Sequence, residues 1–322
     1  MHPILNGMWQ VSGAHGPIDR EAALASMREF VDAGFTTWDL ADHYGPAEDF
    51  VGEFRRRLAH ERDAAALDTL EFFTKWVPRP GRMSRPVVEG AIATSRRRMD
   101  MPSLDLLQFH WWDYGDERYL EALRHLADLQ REGQLRRLGL TNFDTAHVRE
   151  IVDAGIPVVS NQVQFSLVDR RPEGAMAPFC AGHGIGLLAY GTVCGGLLSD
   201  RYLGRPEPRA SALNTASLRK YKQMIDAWGG WALFQELLVA LRAIGDRHGA
   251  SVAAVAVRWV LDRPAVAGAI VGVRLGVTEH RADSARALTL RLDADDAARL
   301  ERVLARANDL SRIIGDCGDE YR

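Results

Sequence analysis

A tyrosine hydroxyl has a pKa of about 10 and is a poor acid at neutral pH unless charged neighbours change its proton affinity. The sequence supplies such neighbours. Tyr44 stands in WDLADHYG, five residues after Asp39; Lys75 closes LEFFTK, and His110 closes LDLLQFH, followed by Trp111 and Trp112. An ammonium within about 4–6 Å favours the phenolate and lowers the phenol pKa. Lys75 is the available cation, and Asp39 is the carboxylate that could hold it charged in a partly buried site. His110 can hydrogen-bond a substrate oxygen or share its proton. The set describes an acid poised to protonate an oxygen on which negative charge develops.

These residues need a scaffold that brings distant segments together, and the hydrophobic periods supply one. Short apolar runs alternate with stretches of helical spacing along the chain. Asp19 caps a helix whose apolar face is Ala23, Leu24, Met27, Phe30 and Val31, closed by Gly34, and FTTWD follows as a strand from Phe35 to Asp39. The alternation recurs. LEFFTK, LDLLQFH, LRRLGL, VVSNQ, GLLAY and AVAGAIVG read as strands; helices are predicted over 85–99, from Asp116 to Gly133, around Val148 to Val152, near Pro178, and from Thr278. With GMWQVSG as the first strand, the chain reads as eight strand–helix units.

Eight such units without a linker or composition break predict a (β/α)8 TIM barrel, one domain over 1–322. An open doubly wound sheet is disfavoured because NGMWQVSGAHG lacks the GxGxxG spacing after the first strand. In a barrel the site lies at the C-terminal strand ends. Those ends carry Trp9, Asp39, Lys75, His110, Asn142, Asn161 with Gln162, and Tyr190, which would all converge on one mouth.

Composition narrows the function classes. The 322 residues are 47% hydrophobic and 26% charged with a net charge of −3, which excludes disorder as the main state and argues against a nucleic-acid or anionic-membrane binder. No apolar stretch has the length of a membrane helix and the start lacks a secretory pattern, so the protein is expected in the cytoplasm. Cys180, Cys194 and Cys317 have no metal-ligand spacing and are expected as free thiols, and no metal is expected.

The chain resembles the aldo-keto reductase superfamily in WDLADHYG, FFTKW, DLLQFHWW, LGLTNFD, SNQVQFS and AYGTVCGGLLSDRY, in the family's order and spacing. The resemblance implies an NADPH-dependent carbonyl reductase with Asp39, Tyr44, Lys75 and His110 as its tetrad and Tyr44 as proton donor. Asp39, rather than Asp42, matches the family carboxylate. Thr141, Asn142 and Gln162 match the residues that bind the nicotinamide carboxamide, and Tyr190 matches the ring that stacks on the nicotinamide. Where the family usually continues Ser-Pro-Leu, this chain has Gly191, Thr192 and Val193; Gly195, Gly196, Leu197 and Leu198 then continue the pattern.

Further on, GVRLGVTEHRADS resembles the segment that binds the adenosine 2′-phosphate. Arg274 would be the phosphate partner, since a guanidinium makes forked, charge-assisted bonds, and His280, Asp283 and Ser284 would lie near the adenine. NADPH is therefore the expected cofactor, with NADH as the alternative. Trp9 and Trp111 are expected to line the substrate pocket.

A barrel of this kind takes about 250 residues, so the chain has length to spare. Two segments hold it: 191–230 after the seventh strand, expected to cover the cofactor, and 293–322, a helix and tail expected to border the substrate. Three functions fit these features: reduction of a small aldehyde or ketone, oxidation of a sugar or alcohol with NAD(P)+ at the same site, and a cofactor-sensing regulatory subunit. The intact tetrad favours an enzyme over the last.

Overall fold

The fold, given by a computed structural model that describes every residue except Ala14 and Glu279, is a closed barrel of eight parallel strands in sequential order. The strands are β1 (Ile4–Gly7), β2 (Thr37–Asp39), β3 (Glu71–Trp76), β4 (Leu106–Phe109), β5 (Leu138–Thr141), β6 (Val158–Gln164), β7 (Gly186–Tyr190) and β8 (Val266–Gly272). Closure comes from β1 pairing with β8, Ile4 opposite Ala269 and Gly7 opposite Gly272. Gly7 also pairs with Asp39, so the first strand is spent once it reaches the height of its neighbours.

That register corrects the first strand predicted from sequence. GMWQVSG is not a strand beyond Gly7. The Met8 amide bonds to the Asp39 carbonyl at 2.8 Å, the Val11 amide returns to the Met8 carbonyl at 3.0 Å, and Trp9–Ser12 forms a 3-10 turn across the barrel mouth. A second correction concerns the helix expected from Thr278. Thr278 instead bridges antiparallel to Arg274, and the helix starts at Arg281.

The helices around the barrel are α1 (Arg20–Asp32), α2 (Ala47–Arg62), α3 (Arg85–Met99), α4 (Arg118–Arg131), α5 (Thr145–Asp153), α6 (Met176–Gly182), α7 (Ala216–Trp228), α8 (Gly230–His248), α9 (Val252–Leu261), α10 (Arg281–Thr289), α11 (Ala294–Leu304) and α12 (Leu310–Ile313). Asp19 caps α1 as its sequence predicts, accepting from the Ala22 amide at 2.8 Å. The long segment after β7 is not a loop throughout. Short 3-10 turns lead into α7, and α7 through α9 precede β8.

Side chains alternate along each strand, which fixes what enters the barrel. Leu5, Phe73, Leu106, Leu188 and Ile270 form a small apolar cluster inside it, separate from the large core under the helices. Two residues further along the same strands stand Lys75, Gln108 and Tyr190. The polar groups of the mouth thus rest on an apolar floor made by the same strands. Among the described residues no helix is long and apolar enough to cross a membrane. All three cysteines are free and buried.

Candidate active site

Above that floor Lys75 Nζ donates to Asp39 Oδ2 at 2.7 Å and to the Leu40 carbonyl at 3.0 Å, with both side chains only 4% exposed. Two amides hold the other carboxylate oxygen. Asp39 Oδ1 accepts from Gln108 Nε2 at 2.8 Å and from Gln162 Nε2 at 2.7 Å. A buried ion pair is tolerable when its remaining lone pairs are occupied in this way. The Tyr44 ring lies over the ammonium, its centroid 5.2 Å from Lys75 Nζ, and packs edge-on against Trp9 at 4.9 Å. Asp42, closer in sequence, is engaged elsewhere, accepting from the Val77 amide and from His43.

The electrostatics differ from the expectation that Lys75 lowers the Tyr44 pKa. Burial, reinforced by Asp39, Tyr321 and Asp42, holds the Tyr44 hydroxyl well above its ordinary value. The ammonium is already committed to Asp39, so the carboxylate cancels much of its effect on the phenol. Burial also lowers the Lys75 pKa, against the pull of Asp39. Tyr44 is therefore a neutral acid with its proton in place.

His110 is buried, and burial pushes its pKa down to about 4, against the Thr141 hydrogen bond. Its Nδ1 lies 3.2 Å from the Thr141 carbonyl, which can only accept, so Nδ1 carries the proton of the neutral ring. Nε2 is then a bare acceptor. It is buried and has no partner among the described residues.

One cavity of about 720 Å³ joins Asp39, Tyr44, Lys75 and His110 to Thr141, Asn142, Gln162, Tyr190, Gly191, Thr192 and Gly195, and to His280, Asp283 and Ser284. That volume is in the range of cofactor and ligand sites. Gln10 also lines it, and its buried Oε1, like His110 Nε2, has no partner among the described residues. Unpartnered polar atoms on such a wall fit a ligand with polar groups of its own. Gly191 and Gly195 have left-handed φ of +72° and +64°, and a Cβ on either would strike Tyr221 within 3 Å, so glycine here lets α7 close over the groove.

Four predicted positions fall elsewhere. Asn161, expected at the mouth with Gln162, is not on the cavity wall: its Nδ2 donates to the Phe143 carbonyl at 2.9 Å, and strand alternation leaves Gln162 to face the cavity. Trp111 does not line the cavity; it is fully buried, donates to the Asp113 and Asp116 carbonyls, and packs on Phe109. Alternation past β4 turns it away from the mouth and brings Trp112 in beside His110, the rings 4.3 Å apart. Leu197 is likewise a core residue, and Leu198 takes the wall position. Arg274 is not on the cavity wall either: its guanidinium donates to the His15 carbonyl at 2.9 Å, and its buried Nε has no partner among the described residues.

With this geometry in place, a model of the Aldo/keto reductase family matches residues 3–305. The chain belongs to that family. It is an NAD(P)H-dependent oxidoreductase of the aldo-keto reductase fold. Among its relatives is the flagellar radial spoke protein 5 of Chlamydomonas reinhardtii, 26% identical over 76% of this chain; the match spans 58% of that protein's length. Aldo-keto reductase YhdN of Bacillus subtilis is 28% identical, covering 83% of this chain and 80% of its own. A crystal structure of an aldo/keto reductase from Klebsiella pneumoniae, in complex with NADP and acetate, superposes with a TM-score of 0.68 at 24% identity, covering 94% and 91% of the two chains.

Several residues of this aldo-keto reductase site escape sequence reasoning. Gln108 was legible in principle, as the lone amide of an apolar run two positions before His110 and on the same strand face. Lys220 and Tyr321 also line the cavity, from α7 and from the segment after α12, where no periodic pattern announces them. Glu320, beside Tyr321, accepts from the Tyr190 hydroxyl at 3.0 Å.

Proposed function

We propose that this chain reduces a small aldehyde or ketone to the alcohol, with Tyr44 as proton donor and NADPH as hydride source, NADH being the alternative. The observation that carries the reading is the buried Lys75–Asp39 pair, braced by Gln108 and Gln162, beneath a phenol that burial keeps protonated. A protonated Tyr44 is ready to give its proton to a carbonyl oxygen. Alcohol oxidation at the same site would begin by needing the phenolate, which these surroundings disfavour.

When bound, the nicotinamide supplies a hydride to the carbonyl carbon. This chain's residues do the rest. Tyr190 offers an aromatic face for stacking, Asn142 and Thr141 stand beside it, and Gln162 reaches the same wall while bracing Asp39. Thr192, Gly191 and Gly195 line the same cavity, as do His280, Asp283 and Ser284, and Arg274 would be the 2′-phosphate partner once it turns from the His15 carbonyl. Trp9, Trp112 and Val77 give the substrate apolar walls. A cytoplasmic setting goes with this reading, supported by three free, buried thiols.

The test is a screen of carbonyls, and of sugars and alcohols in the reverse direction, with both cofactors, following nicotinamide absorbance. Tyr44→Phe should lower the turnover of the best carbonyl about 10²–10⁴-fold while NADPH binding persists. Retained turnover would remove Tyr44 from the donor role, and oxidation of alcohols without carbonyl reduction would replace the reductase reading.

A further inference from the structure

The tetrad leaves unexplained a chain of buried charges behind Tyr190. Gln164 Nε2, at the end of β6, donates to Asp169 Oδ2 at 2.7 Å. Asp169 takes a forked pair from Arg171, Nε to Oδ1 at 2.9 Å and Nη2 to Oδ2 at 2.8 Å. Arg171 Nη2 also donates to Glu320 Oε2 at 2.9 Å, and the Arg171, Asp169 and Glu320 side chains are 1%, 1% and 7% exposed. The other Glu320 oxygen, Oε1, lies 3.0 Å from the Tyr190 hydroxyl.

Glu320 is thus tied at both ends. Its Oε2 accepts additionally from the Gly318 amide at 3.0 Å. Its segment is fastened to the barrel where Thr145 donates to Asp316 Oδ2 at 2.8 Å and Arg171 Nη1 to the Asp316 carbonyl at 2.8 Å. Burial raises the Glu320 pKa, but the charges of Arg171 and Lys220 outweigh it and keep the carboxyl below its ordinary value.

The Tyr190 oxygen lies 2.9 Å from Asn142 Oδ1 and 3.2 Å from the Tyr321 hydroxyl as well. A phenol has one proton, and a carboxylate is the strongest of these acceptors. With that proton directed at Glu320, the Tyr190 lone pairs are left as acceptors. They then favour the Asn142 amide turned with its NH₂ toward Tyr190 and its oxygen away. Amide oxygen and nitrogen are assigned from such networks, and here the network starts at Glu320.

We propose that Glu320 is a positioning residue: anchored on Arg171, its carboxylate fixes the Tyr190 ring and, through it, the direction of the Asn142 amide at the nicotinamide end of the groove. The inference rests on the nicotinamide-binding reading above. It adds a residue outside the tetrad that acts on cofactor affinity through Tyr190 and not by touching substrate.

The test is a double-mutant cycle with the full chain, comparing wild type, Glu320→Gln, Tyr190→Phe and the double variant. Dissociation constants for NADPH and NADH are read from quenching of tryptophan fluorescence, with the thermal midpoint recorded for each form. Either single change should weaken the better cofactor about tenfold, and the double variant should bind within about twofold of the weaker single. Tyr190→Phe keeps the ring and the fold, so the cycle has an informative arm even if Glu320→Gln lowers the midpoint. Unchanged affinity in Glu320→Gln, or losses that multiply in the double variant, would overturn the positioning role while leaving the cofactor reading intact. A wild-type chain that binds neither dinucleotide would overturn both.

Discussion

At the residue scale the proton inventory of the site is set by burial more than by pairing. Tyr44 and His110 both lose charge states they would have in water: the phenol is held protonated and the imidazole is held neutral. For His110 the direction has a consequence for stability. Its folded pKa of about 4 lies below the ordinary 6.5, so between these values the unfolded chain binds the extra proton and stability falls as pH drops from about 6.5 to about 4. The contribution is complete above 6.5 and lost by about 4, on the order of 3 kcal/mol at 1.36 kcal/mol per unit. Urea unfolding of wild type and His110→Gln across this range should therefore show wild type losing that much more than the variant. Parallel curves would mean that the ring titrates normally.

The same residues show what a sequence can carry. Asp39, Lys75 and His110 were legible because strand ends in a barrel point to one mouth, and the geometry brings them together. The raised Tyr44 pKa was not, since it depends on depth and on the carboxylates of Asp39 and Asp42 gathered from folding. Trp111 and Trp112 traded places for a similar reason. One residue past a strand end, alternation decides between core and cavity, and no composition signal marks where the strand stops.

At the element scale the groove over the barrel mouth is bordered by contacts between segments far apart in the chain. His15, in the turn region after Trp9–Ser12, pairs with Ser217 in the first turn of α7 at 3.1 Å, and its carbonyl takes the Arg274 guanidinium from the connection after β8. Caps and strand ends of the barrel itself could be read locally, as at Asp19 and in GLLAY. The helices α7 to α9 and the turn at Trp9 could not, because neighbours in space, not propensity, determine where β1 ends and how the excursion after β7 folds back.

Arg274 accordingly has two roles to separate. As the 2′-phosphate partner it would weaken NADPH about 10–100-fold on replacement by alanine and leave NADH nearly unchanged, since only NADPH carries that charge. As a strut for the His15 carbonyl it would weaken both alike. The expected result is the first, measured as the ratio of the two dissociation constants in wild type and Arg274→Ala; equal losses would assign Arg274 to bracing the loop.

For the whole molecule, the barrel separates stability from chemistry along its axis, and the buried Asp39–Lys75 pair is where the two meet. The apolar floor of Leu5, Phe73, Leu106, Leu188 and Ile270 packs inside the barrel as a cluster of its own, beneath the charges. Removing one charge leaves the other buried and uncompensated, which costs about 3–5 kcal/mol, whereas removing both together is often neutral or stabilising. Lys75→Met should therefore destabilise the barrel by about that amount, and Asp39→Asn similarly, because Lys75 Nζ would keep only the Leu40 carbonyl and a neutral amide. In the Asp39→Asn/Lys75→Met double variant the amide oxygen still accepts from Gln108 and Gln162 and no charge is stranded, so urea unfolding should return to within about 1 kcal/mol of wild type. Carbonyl reduction should stay lost in all three forms, since the ammonium beneath Tyr44 is gone or its partner is. A double variant as unstable as either single would mean that the pair holds the barrel together; recovered stability without activity would show that it is kept for the reaction.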